Sequence, residues 1–182
     1  MSRYDLRHRA AQVAATIVLF LATLWLNDWL FRRLEFAPGI NYVYLPAGMR
    51  LLCTLLFAED GAVGLLLVSW LVNFEFFFPE DFERAFVGGI LSTAAPYLVY
   101  RIARHFFGLD ATLRNLAPRH LLVLALAYAV ANPLLLNLWF ALRGQQHLLG
   151  GFAAMVLGDL AGTLIVLYLL KGLLALVPRQ AR

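Results

Sequence analysis

Arg50 and Asp159 are the residues of this sequence best placed to do chemistry, because each stands alone in a long apolar run. A guanidinium offers only donors and a carboxylate only acceptors, so the two are natural partners for each other or for a polar solute. An ionisable group at membrane depth costs about 2.5–3.5 kcal/mol on insertion scales, and it persists where it is paired, solvated or used. Counting from Asn41 and from Gly150, each charge lies ~13 Å below the outer boundary at 1.5 Å per residue. Equal depth and opposite sign predict a pair, direct or through water. Asn41, Asn73, Glu75 and Asn137 fall in the same outer half. Together these residues sketch an outward-facing polar pocket. Met155, Asp159 and Thr163 stand four apart and share one helix face. Ala154, Gly158 and Gly162 form a small-residue ridge beside them, which permits close approach of another backbone. Two uses of this centre stay open: a structural staple with asparagines as interhelical glue, or a site for a ligand or ion.

The elements that must position these residues are membrane helices. The chain has 182 residues, 62% of them hydrophobic and 14% charged, and its mean hydropathy is +0.75. That composition excludes a soluble domain and leaves room for about six spans of ~20 residues. The expected fold is all-α: a single polytopic transmembrane bundle with spans at 12–31, 41–58, 62–78, 85–106, 121–142 and 150–177. Arg3, Arg7 and Arg9 followed by apolar 13–26 resemble a signal peptide, but no small-x-small cleavage site follows. The run ends instead in Trp25, Asn27, Asp28 and Trp29, an interfacial signature, so it reads as an uncleaved first span. Pro46 and Gly48 inside span two predict a kink or a broken helix, covered by its neighbours and therefore central. Glu59, Asp60 and Gly61 read as a tight turn, and Asn132-Pro133 as a second kink.

Lysine and arginine set the orientation. With six spans, Arg3, Arg7, Arg9, Arg101, Arg104, Arg114, Arg119, Lys171, Arg179 and Arg182 fall on one side, against Arg32, Arg33, Arg84 and Arg143 on the other. The positive-inside rule then puts both termini in the cytoplasm. Fourteen arginines against a single lysine suggest a bacterial, GC-rich source, hence the bacterial inner membrane.

Several function classes drop out. After the spans are removed no basic patch with exposed aromatics remains for nucleic acid. Cys53 is the sole cysteine and reads as a small apolar core residue. His8, His105, His120 and His147 lie at or outside span boundaries, which suits neither a zinc site nor a proton relay. Neither a nucleophile elbow nor an HExxH helix occurs. No catalysis, metal or cofactor is therefore expected.

The stretch YLPAGMRLLCTLLFAEDGAVGLLL resembles the MASE1-type membrane sensor domain of bacterial signalling proteins, and GDLAGTLIVLYLL, from Gly158, looks like a late span of that family. Such domains usually have about eight spans and precede a cyclase or kinase output domain. The resemblance implies a sensor or scaffold module whose output resides on a separate membrane or cytoplasmic partner. Its surfaces for that partner would be the Ala10, Ala11, Ala14, Ala15 face and the edge of Arg101, Arg104, Arg114 and Arg119. A second likeness is to the substrate-binding subunits of energy-coupling-factor vitamin transporters. Those share the span number, an outward pocket and a small-residue docking face on span one.

Overall fold

A computed structural model describes residues 3–37, 40–108, 116–144 and 148–176. Five long helices dominate: α1 (Arg3–Phe31), α2 (Leu45–Val72), α3 (Phe82–Phe107), α4 (Pro118–Leu142) and α5 (Leu148–Leu176). The described chain is a helix bundle, and five of its helices are long and apolar enough to cross a membrane. Between α1 and α2 a short antiparallel ribbon pairs β1 (Glu35–Ala37) with β2 (Ile40–Asn41).

Local chemistry sets the helix ends. The Asp81 carboxylate accepts from the Arg84 amide at 3.0 Å and caps α3. Gly108 closes α3 at φ 56°, the left-handed position that glycine fills without strain. Pro118 opens α4 in the first turn, where a missing N–H costs nothing. Pro46 does the same for α2. This corrects the expectation that Pro46 kinks the interior of a span: the helix starts at Leu45, so the proline stands at its head.

The break in α2 comes later, at Ala58, whose φ of 48° and ψ of −118° are not helical. Contacts with α1 on the two sides of Ala58 run in opposite directions. On the first limb, the Leu45 amide donates to the Asn27 side-chain oxygen at 2.8 Å, and Cys53 lies beside Thr16. On the second limb, Arg9 pairs with Asp60 at 2.9 Å, Gly64 packs against Val13 and Thr16, and Leu65, Val68 and Val72 close around Phe20. A Cβ on Gly61 would stand 2.5 Å from the Cys53 carbonyl oxygen. Eight residues of unbroken helix would separate those two by about 12 Å. The chain therefore doubles back at Ala58, and α2 is a helical hairpin.

The first limb of α2 occupies the centre. Its Ala47, Leu51 and Leu55 pack with Ala95, Val99, Tyr100 and Ala103 of α3 and with Leu124, Ala125 and Tyr128 of α4. Its Leu45, Met49 and Cys53 face Leu26 of α1 and Val166 of α5. At its far end the second limb passes into a π-helical turn, Asn73–Phe77, and Trp70 stacks on Phe86 of α3 at 5.2 Å.

Candidate functional site

One end of the bundle holds a cavity of about 80 Å³ walled by polar and aromatic side chains. Asn41 and Tyr44 come from the ribbon–helix junction, Arg50 from α2, Asn73 from the π turn, Arg84 and Ser92 from α3, Asn132 and Trp139 from α4, and Met155 and Asp159 from α5. All five helices except α1 contribute a wall, and the Phe20 ring of α1 lies 5.0 Å from the Arg50 guanidinium carbon.

The small-residue ridge of α5 builds the junction. Gly158 meets the Asn41 carbonyl and Gly162 the Tyr44 carbonyl so closely that a Cβ at either would collide with the oxygen. The Tyr44 amide donates to the Gly158 carbonyl at 3.0 Å. Further down, Gly48 abuts Thr163 and Val166. The ridge, expected to permit close approach of another backbone, receives extended backbone, and its hydrogen bond satisfies that backbone where the neighbouring helices enclose it.

This register also corrects the equal depth assumed for Arg50 and Asp159. The first limb of α2 and α5 run parallel, with Tyr44 between Gly158 and Gly162 and Gly48 beside Thr163. Arg50 is then roughly level with Val166, about seven residues or ~10 Å below Asp159. The count from Asn41 erred because the extended residues 41–44 lie alongside Gly158, far past the start of α5.

The two charges therefore share a cavity without touching. Arg50 and Asp159 are 6% and 4% exposed, and among the described residues no ion pair within 4.0 Å joins them. Asn132 takes the carboxylate instead, donating from Nδ2 to the Asp159 Oδ2 at 2.6 Å. The Arg50 side chain leans toward the head of its helix, as helical side chains do, and its guanidinium lies 5.7 Å from the centre of the Tyr44 ring. Its Nε is buried without a partner. Tyr128 and Asp159 lie within electrostatic reach, but the Tyr128 hydroxyl makes no hydrogen bond of good geometry. Arg84 lines the same cavity, its guanidinium 4.1 Å from the Phe78 ring centre and 5.2 Å from that of Phe140.

The other expected site residues divide. Asn73 is buried and lines the cavity while its Nδ2 donates to the Ala85 carbonyl at 3.0 Å. Asn41 is half-buried at the rim. Asn137 does not reach the cavity: its Nδ2 donates to the Pro133 carbonyl at 2.8 Å, beside the Met155 sulfur. Thr163 is fully buried, with its hydroxyl unpartnered, under Gly48. Glu75 is exposed, two residues beyond buried Asn73 and so on the opposite side of the helical turn. Ala10 and Ala14 are exposed along α1, as are Arg101, Arg104 and Arg119 at the opposite end of the bundle from the cavity. Arg114 lies outside the described residues.

Tyr44, Arg84 and Asn132 belong to the site and were not picked out from the sequence. Asn132 had a signal, since it precedes Pro133 and is the polar residue nearest that helix irregularity. Arg84 had none, because an arginine just after a loop reads first as a topology signal. Among the described residues no group of three His, Cys, Asp or Glu could hold a metal ion. Comparison with family models, curated proteins and solved structures finds no match to this chain.

Proposed function

We propose that this chain is a bacterial inner-membrane sensor or scaffold module that holds a small solute in the Arg50–Asp159 cavity and acts through a partner protein, without catalysis of its own. The observation that carries this reading is the unpaired state of Arg50. A structural staple would bring guanidinium and carboxylate together, since burying a lone charge costs several kcal/mol. Here both line an open cavity, and Asp159 has another partner.

The proposed topology has six crossings with both ends in the cytoplasm. The reversal at Ala58 supports counting each limb of α2 as one crossing. The first limb has only 13 helical residues before Ala58, about 20 Å. The extended residues 40–44 add ~16 Å at about 3.3 Å per residue, enough for a ~30 Å hydrocarbon layer. Non-helical backbone at such depth is tolerated where protein covers it, and α5 does so here. The stretch that resembles the MASE1-type sensors covers this same hairpin, which agrees with a sensing role.

Exposed Arg101, Arg104 and Arg119, on the side opposite the cavity, form the proposed docking edge. Replacing the three by glutamine should abolish capture of a partner from solubilised membranes while leaving insertion unchanged. If no partner is captured by the unaltered chain, and the purified protein alone moves a solute across liposomes, the sensor reading fails. A transporter subunit is the second reading, favoured by the exposed Ala10 and Ala14 face on α1. A cavity of about 80 Å³ argues against a vitamin-sized cargo, for which pockets of about 300–1,000 Å³ are usual.

A further inference from the structure

We infer that the ligand of this cavity is a small monovalent anion, of the carboxylate class, held between Arg50 and Arg84. The inference rests on the proposed solute-binding role and adds the chemistry of the solute.

Charge is the first argument. The cavity wall carries two guanidiniums, Arg50 and Arg84, and one carboxylate, Asp159. Asp159 is already engaged by Asn132. One positive charge is left over on the wall of a partly open cavity, where Arg50 is buried and Arg84 half-buried, and an uncompensated buried charge is costly. Asp81 offsets Arg84 in part, but it sits on the exposed cap of α3, where its Oδ1 accepts from the Arg84 amide. Arg50 has Asp159 within electrostatic reach, but among the described residues no acid within 4.0 Å of it.

Unfilled donors are the second argument. The Nε atoms of Arg50 and of Arg84 are both buried without a hydrogen-bond partner. Each guanidinium is braced on aromatic faces, Phe20 and Tyr44 for Arg50, Phe78 and Phe140 for Arg84. Such contacts restrain each guanidinium without using its N–H donors, and a planar anion suits those donors. A carboxylate matches them with two parallel hydrogen bonds, which a spherical ion cannot.

Size is the third. A cavity of about 150 Å³ lodges benzene, so about 80 Å³ admits an ion of roughly four heavy atoms. Acetate fits this limit in charge, shape and volume. A divalent anion would overshoot the single excess charge.

The test uses the purified full chain in detergent. Binding of sodium acetate is measured by calorimetry and by the thermal unfolding midpoint, at ionic strength matched with sodium sulfate. Acetamide, isosteric but neutral, and glycine, a zwitterion, are run beside it. Saturable acetate binding is expected, with none from acetamide. Arg50→Lys and Arg84→Gln should each weaken it at least about tenfold, while Arg7→Gln, exposed near the start of α1 and at the opposite end of the bundle, leaves it unchanged. Arg50→Lys keeps the charge and loses the fork, so it separates geometry from folding failure, and gel filtration checks that each variant stays monodisperse. Acetamide or glycine binding as well as acetate overturns the anion assignment and leaves the solute-binding module standing. If no solute binds, the anion proposal falls. Loss of partner capture as well would then remove the module reading.

Discussion

The Asp159 carboxylate accepts its hydrogen bond from Asn132 on α4, 2.6 Å away, and makes no ion pair with the arginine that shares its cavity. A charge-assisted bond between buried groups is worth roughly 1.5–3 kcal/mol. Asn132→Leu should lower unfolding stability by about that amount. In double-mutant cycles the Asn132–Asp159 coupling should exceed about 1 kcal/mol, and the Arg50–Asp159 coupling should fall below it. The reverse order would mean that the ion pair forms after all.

Glycines on α5 should differ sharply in what they tolerate. A methyl group at Gly158 or Gly162 would run into the carbonyls of Asn41 and Tyr44, whereas nothing lies within 4 Å at Gly172. Gly158→Ala and Gly162→Ala should each cost about 1–3 kcal/mol or more, as overpacking does. Gly172→Ala should be neutral or slightly stabilising, because alanine is the better helix former. Thermal unfolding of the three variants side by side decides the matter.

Ala58 holds φ 48° with ψ −118°, a conformation that costs an L-residue about 1–3 kcal/mol and glycine far less. Ala58→Gly should therefore raise the unfolding midpoint and Ala58→Val should lower it. A midpoint that falls with glycine would mean that the strain at Ala58 is not what limits the hairpin.

The reversal at Ala58 makes a topological prediction. In a Cys53→Ala background, Glu59→Cys and Glu80→Cys should label from opposite faces of the membrane. An impermeant maleimide should reach Glu80→Cys in intact cells, and Glu59→Cys only after permeabilisation. Labelling of both from outside would show that the α2 hairpin does not reach the inner face, and the count of six would fall.

Much of the bundle was legible in the sequence because apolar runs near membrane thickness leave few alternatives. The turn at Glu59 and Asp60 was legible from two adjacent acids followed by Gly61, and a chain reversal lies beside it, at Ala58. Depth was not legible. Residues 41–44 look like the start of a span, and only the contact with Gly158 reveals them as extended backbone beside the middle of another helix. That misplacement made Arg50 and Asp159 level on paper. Glu75 was assigned to the pocket by its depth in the outer half, but it stands two residues after buried Asn73 and so faces away from it. The polar cluster itself was visible as isolated polar residues in apolar surroundings. Its partners, Tyr44, Arg84 and Asn132, are defined by packing between distant segments.

The bond from Tyr44 to Gly158 also constrains how the protein is made. The first limb of α2 is too short to hold a crossing by itself, and the backbone that completes it has its hydrogen-bond acceptor in α5, more than a hundred residues later. At about 5–20 residues per second, Gly158 leaves the ribosome roughly 6 to 23 s after Tyr44. For that interval the Tyr44 amide has no acceptor and residues 41–44 have no cover from α5. The nascent chain must keep this limb outside the hydrocarbon, or shielded by the insertion machinery, until α5 arrives. Truncation before α5 should consequently leave a chain that quality control degrades, with its first helix inserted and its central one stranded.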